Sequence, residues 1–197
     1  MIGGDDANTP LTDEEADALI PTHIATRAEL NQWEAVNIAR AQAWAAARRR
    51  LNVLSTDTLR ELHRRMFDRT WQWAGTFRRA DLNISPYPSA TVPARMLDLV
   101  ENARAQYEAS RKANAELDDI AMRFHYELVR IHPWPNGNGR HARLAADLLL
   151  ERWGRPAFTW GSAADLAAAG TVRTAYIAAL RRADGGDFTL LREFVRS

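Results

Sequence analysis

His132-Pro133-Trp134-Pro135-Asn136-Gly137-Asn138-Gly139-Arg140-His141-Ala142-Arg143 separates two apolar helical segments and decides how the chain is read. Apolar residues at three- and four-residue spacing from Glu116 to Arg130 predict a helix that runs into His132 and ends at Pro133. Gly137-Asn138-Gly139 makes a turn, and helical spacing resumes from about Asn138 to Trp153. A glycine-rich turn lets backbone N–H groups converge on an anion, and the helix that begins there adds its partial positive charge. Arg140 and Arg143, three residues apart, share a helix face beside that turn and offer two guanidinium forks to a polyphosphate. This is chemistry for phosphate.

His132 adds a general base. Its reference pKa near neutrality allows it to take the proton of an attacking hydroxyl, provided its second ring nitrogen is held. A lone histidine at a helix end more commonly just caps carbonyls; the adjoining anion site turns this one toward catalysis. Gly137, Asn138 and Gly139 are read as a backbone nest, with the Asn138 amide donating to a phosphate oxygen. The turn lacks the Gly-Lys-Ser/Thr of a Walker A loop. His63, His125 and His141 fall at no metal-binding spacing and are read as structural or surface residues. No Gly-x-Ser-x-Gly turn supports a hydrolase triad.

Outward from the turn, the helical period continues almost everywhere, so the fold is expected to be all-α. Thr12-Asp13-Glu14-Glu15 and Thr26-Arg27-Ala28-Glu29 both carry a capping-box pattern; the first opens a short helix ended by Pro21, the second a long one to about Arg50. Ser55 caps a helix to about Trp71, Val92-Pro93 opens another to about Ser110, and Ser162 begins a last helical region broken near Gly170 and Gly185-Gly186. Between Trp73 and Thr91 the period fails. Thr76–Arg79 and Leu82–Ser85 read as short extended pieces of a β-hairpin flap, with Thr76, Phe77, Arg78, Asn83 and Ile84 as its candidate functional residues.

The 197 residues, 46% of them hydrophobic, suffice for one domain with a real core. A formal charge of +1 supplies no global field toward nucleic acid or anionic membrane, and Lys112 is the only lysine, so the arginine pairs reflect a general bias. The aromatic and basic residues Phe77, Arg78, Arg79 and Tyr87 remain a minor nucleic-acid alternative. There is no cysteine for disulfide or thiolate chemistry. The polar, acidic N-terminus resembles no secretory signal, and no apolar run reaches membrane-spanning length, so a cytoplasmic protein without membrane partners is expected.

The string from His132 to Arg143 resembles the Fic motif, His-x-Phe-x-Asp/Glu-Gly-Asn-Gly-Arg-x-x-Arg, and departs from it at two specified positions. Trp71-Gln-Trp-Ala-Gly-Thr-Phe-Arg-Arg79 is similar to the approach to that family's substrate-binding flap. The likeness extends from about Ser55 to Trp160. Pro135–Arg143, with Thr26-Arg-Ala-Glu-Leu-Asn31 upstream, looks closest to the Fic subgroup called mobile mystery protein B. The implied fold is a Fic-like helical bundle with a short β-hairpin flap. Residues 1–54 would be N-terminal helices with a regulatory role, 55–160 the core and 161–197 C-terminal helices.

The resemblance implies transfer of AMP from ATP to a hydroxyl side chain of a target protein, with release of pyrophosphate. His132 would deprotonate the target hydroxyl, Gly137, Asn138 and Gly139 would cradle phosphates, and Arg140 and Arg143 would neutralise their charge. Trp134 replaces the family's Phe and is expected to anchor the loop in the core. Asn136 replaces the carboxylate that holds Mg²⁺ and brings no charge, so the metal is expected to bind more weakly than is usual for the family. Many Fic proteins carry an inhibitory glutamate; Glu34, then Glu29, are the candidates here, with Arg143 as the expected partner. The readings that stay open are a Doc-like protein kinase, another nucleotide in place of ATP, and a catalytically weak binding module of a toxin–antitoxin pair with an antitoxin partner.

Overall fold

The structure, a computed structural model, describes residues 17–161 and 170–197. Among these, seven complete α-helices run in order: α1 (Arg27–Ala46), α2 (Thr56–Phe67), α3 (Val92–Ala109), α4 (Asn114–Ile131), α5 (Asn138–Arg152), α6 (Thr171–Asp184) and α7 (Thr189–Val195). The capping box at Thr12 and the helix start at Ser162 lie outside the described residues. No helix of the described residues is long and apolar enough to cross a membrane.

Local chemistry sets the helix starts. Thr26 is extended at φ −123°, its hydroxyl accepts the Glu29 N–H, and the Glu29 carboxylate accepts the N–H groups of Ala25 at 2.8 Å and Thr26 at 3.1 Å. Glu29 is therefore spent on starting α1 and is exposed, which removes it as an inhibitory candidate. Ser55 caps α2 through the Thr58 N–H, and Pro93 sits in the first turn of α3.

Helix α4 packs against α5, α1 against α2, and α3 against α4. Their buried faces share one core with Leu30, Leu59, Leu62, Met66, Phe67, Trp71, Met96, Phe124, Leu128 and Leu149. A second core, with Met122, Tyr126, Leu150, Phe158, Trp160, Tyr176, Leu191 and Phe194, fixes α6 and α7 to the other face of α4 and α5. Each such aliphatic or aromatic side chain contributes about 1.5–3 kcal/mol on burial. The turn between α4 and α5 is thus held from both sides.

The expected β-hairpin is absent: no residue from 76 to 91 is in a strand or bridge, and the isolated bridge nearest this segment in sequence pairs Leu19 with Trp71. The backbone of residues 76–91 is engaged elsewhere. Arg78 donates its backbone N–H to the Pro133 carbonyl at 2.8 Å and its Nε–H to the His132 carbonyl at 2.8 Å. Its Nη atoms reach the carbonyls of Ala80 and Tyr87, and Ser85 Oγ. Segment 76–91 is pinned to the end of α4 by this buried guanidinium and by the Ser85 hydroxyl, which donates to the Arg130 carbonyl at 2.9 Å, so its two extended pieces do not pair with each other.

Candidate active site

His132 ends α4 in the left-handed region, φ 50° and ψ 59°. For a residue with a β-carbon this conformation costs on the order of 1 kcal/mol, and neighbouring contacts must hold it. Pro133 forbids a further helical turn, and Arg78 takes up the carbonyl that the helix leaves free. Nδ1 lies 3.2 Å from the Val129 carbonyl. That carbonyl requires a donor, so Nδ1 carries the proton and Nε2 keeps its lone pair. Burial, with the Arg78 charge in support, holds the His132 pKa below its ordinary value against that hydrogen bond. The result is a neutral imidazole whose accepting Nε2 has no hydrogen-bond partner among the described residues, as a general base requires.

The glycine turn follows directly. Gly137 has φ 78°, and a β-carbon there would lie 2.5 Å from Cζ of Phe67, so no other residue fits. The first helical bond of α5 runs from His141 N–H to the Gly137 carbonyl. The amides of Asn138, Gly139 and Arg140 therefore precede it and open from the helix end, as an anion site requires. The Asn138 side chain does not point to that site, contrary to the sequence expectation. Its Oδ1 accepts the Trp134 N–H at 2.9 Å and its Nδ2 donates to the Trp134 carbonyl at 2.8 Å, so the amide is consumed in closing the loop.

Trp134 is the loop's anchor, with no exposed surface. It stacks on His63 at 4.3 Å and on Phe77 at 5.0 Å. Its indole N–H donates to His141 Nδ1, and His141 Nε2–H donates to the Leu59 carbonyl at 2.9 Å. His63 accepts the Gly75 N–H on Nδ1 at 3.0 Å and donates from Nε2 to the Asn136 carbonyl at 3.1 Å. Both histidines are buried and held neutral: burial lowers the His141 pKa to about 4 and puts that of His63 well below its ordinary value. They were expected to be structural or surface residues, and the structure makes them supports of the turn. Their spacing in sequence carries no sign of this, since His141 meets Leu59 and His63 of α2 only across the fold.

The two arginines have different partners. Arg140 Nη1 donates to Glu34 Oε2 at 2.5 Å, and the Trp71 indole N–H donates to Glu34 Oε1 at 2.7 Å. Glu34 is only 2% exposed, which sets it apart from an ordinary solvated helix acid. The expected Glu34–Arg143 pair is thus replaced by Glu34–Arg140. Arg143 faces the Tyr176 ring, 5.7 Å from its centroid, with Nη1 beside Gly139.

The residues present do not fit a resident Mg²⁺ ion. Hard cations take oxygen ligands with at least one carboxylate. Asn136 offers a neutral amide oxygen that already accepts the Gly137 N–H at 2.6 Å. Among the described residues no cluster of His, Asp or Glu could hold a metal. Of the flap residues, Phe77 and Arg78 turn inward to support the loop, whereas Thr76, Asn83 and Ile84 are exposed.

The model of the Fic/DOC family matches residues 53–150. Protein adenylyltransferase Fic of Nematostella vectensis is 32% identical over 107 residues, 52% of this chain and 24% of its own length. Protein adenylyltransferase fic-1 of Caenorhabditis elegans is 30% identical over 149 residues, 73% of this chain and 26% of its own. The chain spans about a quarter of the length of the curated relatives it matches. The BepC effector of Bartonella tribocorum, crystallised with bound AMPPNP, superposes with a TM-score of 0.71 at 15% identity over 94% of this chain and 97% of that one. The C. elegans Fic-1 structure superposes with a TM-score of 0.63 at 25% identity over 83% of this chain and 48% of that one.

Proposed function

We propose that this chain, which carries a Fic/DOC family domain over residues 53–150, transfers AMP from ATP to a hydroxyl side chain of a target protein. The observation that carries this reading is the His132 imidazole, neutral with Nε2 free, beside a helix end whose first amides open toward an anion. The target hydroxyl loses its proton to Nε2 and its oxygen attacks the α-phosphorus. The bond from that phosphorus to the bridging oxygen breaks, and pyrophosphate leaves. The amides of Asn138, Gly139 and Arg140, with the Arg143 guanidinium, stabilise charge on the phosphate chain. No step is assigned to Mg²⁺.

The relatives named protein adenylyltransferases support the transferred group, and the BepC structure with bound AMPPNP supports the nucleotide. The wording of Pro135–Arg143 and Thr26–Asn31 supports placement in the mobile mystery protein B subgroup. In this reading Glu34 acts as a brake by withdrawing Arg140 from the phosphates. The neutral Asn136 favours one second reading: a nucleotide-binding module that serves a partner such as an antitoxin without turnover.

Intact-mass measurement after incubation with ATP labelled at the α or the γ phosphate decides among these. AMP transfer adds an adenylyl mass with the α label, and His132→Ala abolishes it while ATP still binds. Transfer of the γ label alone makes the chain a kinase, and binding without any adduct favours the module. Because His132 titrates below its ordinary value of 6.5, kcat/KM loses its base on the acid side, below pH 6.5.

A further inference from the structure

A helix that stops leaves its last carbonyls without intrahelical donors, and α4 stops at the candidate base itself. Each of those carbonyls has found a donor. The His132 N–H donates to Leu128 at 3.2 Å, and the His132 ring donates to Val129. The carbonyls that follow are served by segment 76–91. The Ser85 hydroxyl donates to Arg130 at 2.9 Å, and the Ile131 carbonyl lies 3.1 Å from the same oxygen and 3.4 Å from Arg78 Nη2. Arg78 serves His132 through Nε and Pro133 through its backbone N–H, each at 2.8 Å.

The guanidinium suits this task because its donors lie along more than one edge of a rigid plane. While Nε faces the helix end, Nη1 holds the Ala80 carbonyl at 2.9 Å and Nη2 the Tyr87 carbonyl at 2.6 Å. Arg78 is 4% exposed, and its one carboxylate contact among the described residues is with exposed Asp81, at 3.9 Å. Carbonyl oxygens and the negative end of the α4 dipole therefore supply most of what a buried cation needs. The consequence falls on the imidazole. A histidine gains on the order of 1 kcal/mol by leaving the left-handed region, so its backbone stays there only while the carbonyls on either side of Pro133 are held. Released, the ring would lose its reach to Val129.

We propose that Arg78 is the positioning residue for His132: bonded to the carbonyls of His132 and Pro133, it clamps the helix end in the left-handed turn from which Nδ1 reaches Val129 and Nε2 is left open. Ser85 is the second arm of the clamp. The candidate base is thus set by a side chain 54 residues earlier in the chain. After burial, the Arg78 charge also keeps the imidazole neutral, against the Val129 hydrogen bond. The other nearby cations are engaged elsewhere, Arg130 with Glu127 and Asp184 and Arg140 with Glu34. The kinetic consequences rest on His132 being the base of the proposed transfer; the geometry of the ring does not.

Nitrogen-15 NMR of the full chain labelled in histidine reads the ring directly, with His132→Ala assigning its signals. The unmodified chain is expected to show His132 protonated at Nδ1; protonation at Nε2 instead overturns the proposal at the outset. Arg78→Lys keeps the charge and loses the fork, and Arg78→Met loses both. In each, the His132 ring is expected to pass to a mixture of tautomers, and in Ser85→Ala to do so in part. Arg78→Lys is expected to lower kcat about a hundredfold, the cost of a reacting group displaced by about 1 Å. ATP affinity measured by calorimetry should hold, because Asn138 fastens the turn to Trp134 by separate bonds. The acid limb of kcat/KM should move to higher pH in Arg78→Met more than in Arg78→Lys, a separation that lost packing would not produce. An Nδ1–H ring that persists in folded Arg78→Lys overturns the proposal, as does a fall in kcat matched by an equal fall in ATP affinity. If neither Arg78 variant folds, Ser85→Ala decides by the same signals, and an unchanged ring there overturns the clamp. If the ring responds as expected while the unmodified chain transfers no AMP, the transferase reading fails and the clamp stands.

Discussion

Glu34 holds Arg140 through Oε2 at 2.5 Å while its other oxygen takes the Trp71 indole N–H, so one carboxylate on α1 ties the first arginine after the glycine turn to the core. Glu34 is almost fully buried and Arg140 is partly so, which makes the pair far less screened than a surface salt bridge. The pair also links α1, which precedes the family match, to the turn that matches it.

Removing the charge tests its regulatory meaning. Glu34→Gln keeps an acceptor for Trp71 and releases Arg140, and it is expected to raise ATP affinity and auto-modification about tenfold, within the ordinary range of coupling energies. The same change should lower stability by about 1–3 kcal/mol, because a buried hydrogen-bonded pair is broken. Denaturant unfolding and ATP titration measured on one preparation read both effects. Lower stability with no gain in either binding or auto-modification would leave the pair a structural contact.

Asn138→Ala should act on folding before it acts on ligand. The substitution strands the backbone N–H and carbonyl of buried Trp134, and the expected loss is about 2–4 kcal/mol in urea unfolding. Asn138→Asp, which keeps the acceptor and loses the donor, should fall between. Native stability with a selective loss of ATP affinity would return the Asn138 amide to the phosphate role read from the sequence.

Asn136→Asp restores the carboxylate that the Fic motif specifies. The unmodified chain should bind ATP with little difference between Mg²⁺ and EDTA, and the variant should show a clear gain with Mg²⁺, since a hard cation gains most from a charged oxygen ligand. Equal Mg²⁺ dependence in the two proteins would count against this account of the turn.

Acid should destabilise the fold through its buried histidines. His125 and His141 titrate near 3 and 4, and His63 well below its ordinary value, all because burial disfavours the cation. Below pH 6.5 the unfolded chain takes up protons that the folded chain refuses. Stability present above pH 6.5 is therefore lost as the pH falls toward 4, by about 1.4 kcal/mol per pH unit for each histidine. Asp147 opposes this in part: burial raises its pKa to about 6, so the folded chain keeps that proton between pH 6 and the ordinary carboxylate range. Unfolding free energies measured from pH 7.5 to 4.5 should fall steeply, and a flat profile would contradict the neutral assignments.

Much of the fold was legible because it is local. Thr26 and Glu29 announce α1, Ser55 announces α2, and Pro93 opens α3, each through groups within four residues of one another. The turn from His132 to Arg143 was legible for the same reason, as was Trp134 as its anchor; Glu34 was named only from the family resemblance and with Arg143 as its partner, and the fold pairs it with Arg140 instead. The flap was misread because two extended pieces in sequence suggest pairing, and nothing nearby reveals that Arg78 binds the end of a helix more than fifty residues away. Asn138 was misread because an amide beside a glycine turn is equally suited to a phosphate and to its own loop, and only the loop's closure chooses.

The sequence by itself determined the helical period, the caps, and a glycine turn with a histidine before it and two arginines after it. Tertiary structure alone decided which groups are free to act. Folding brings Glu34 to Arg140 across 106 residues, His63 to Asn136 across 73, and Tyr176 to His125 across 51. A hydrogen-bonding side chain has a fixed inventory of donors and acceptors, and long-range partners that win part of it determine what remains for a ligand. That is why Asn138 became structure, His132 kept a free Nε2, and Arg143 faces a helix its own motif does not contain.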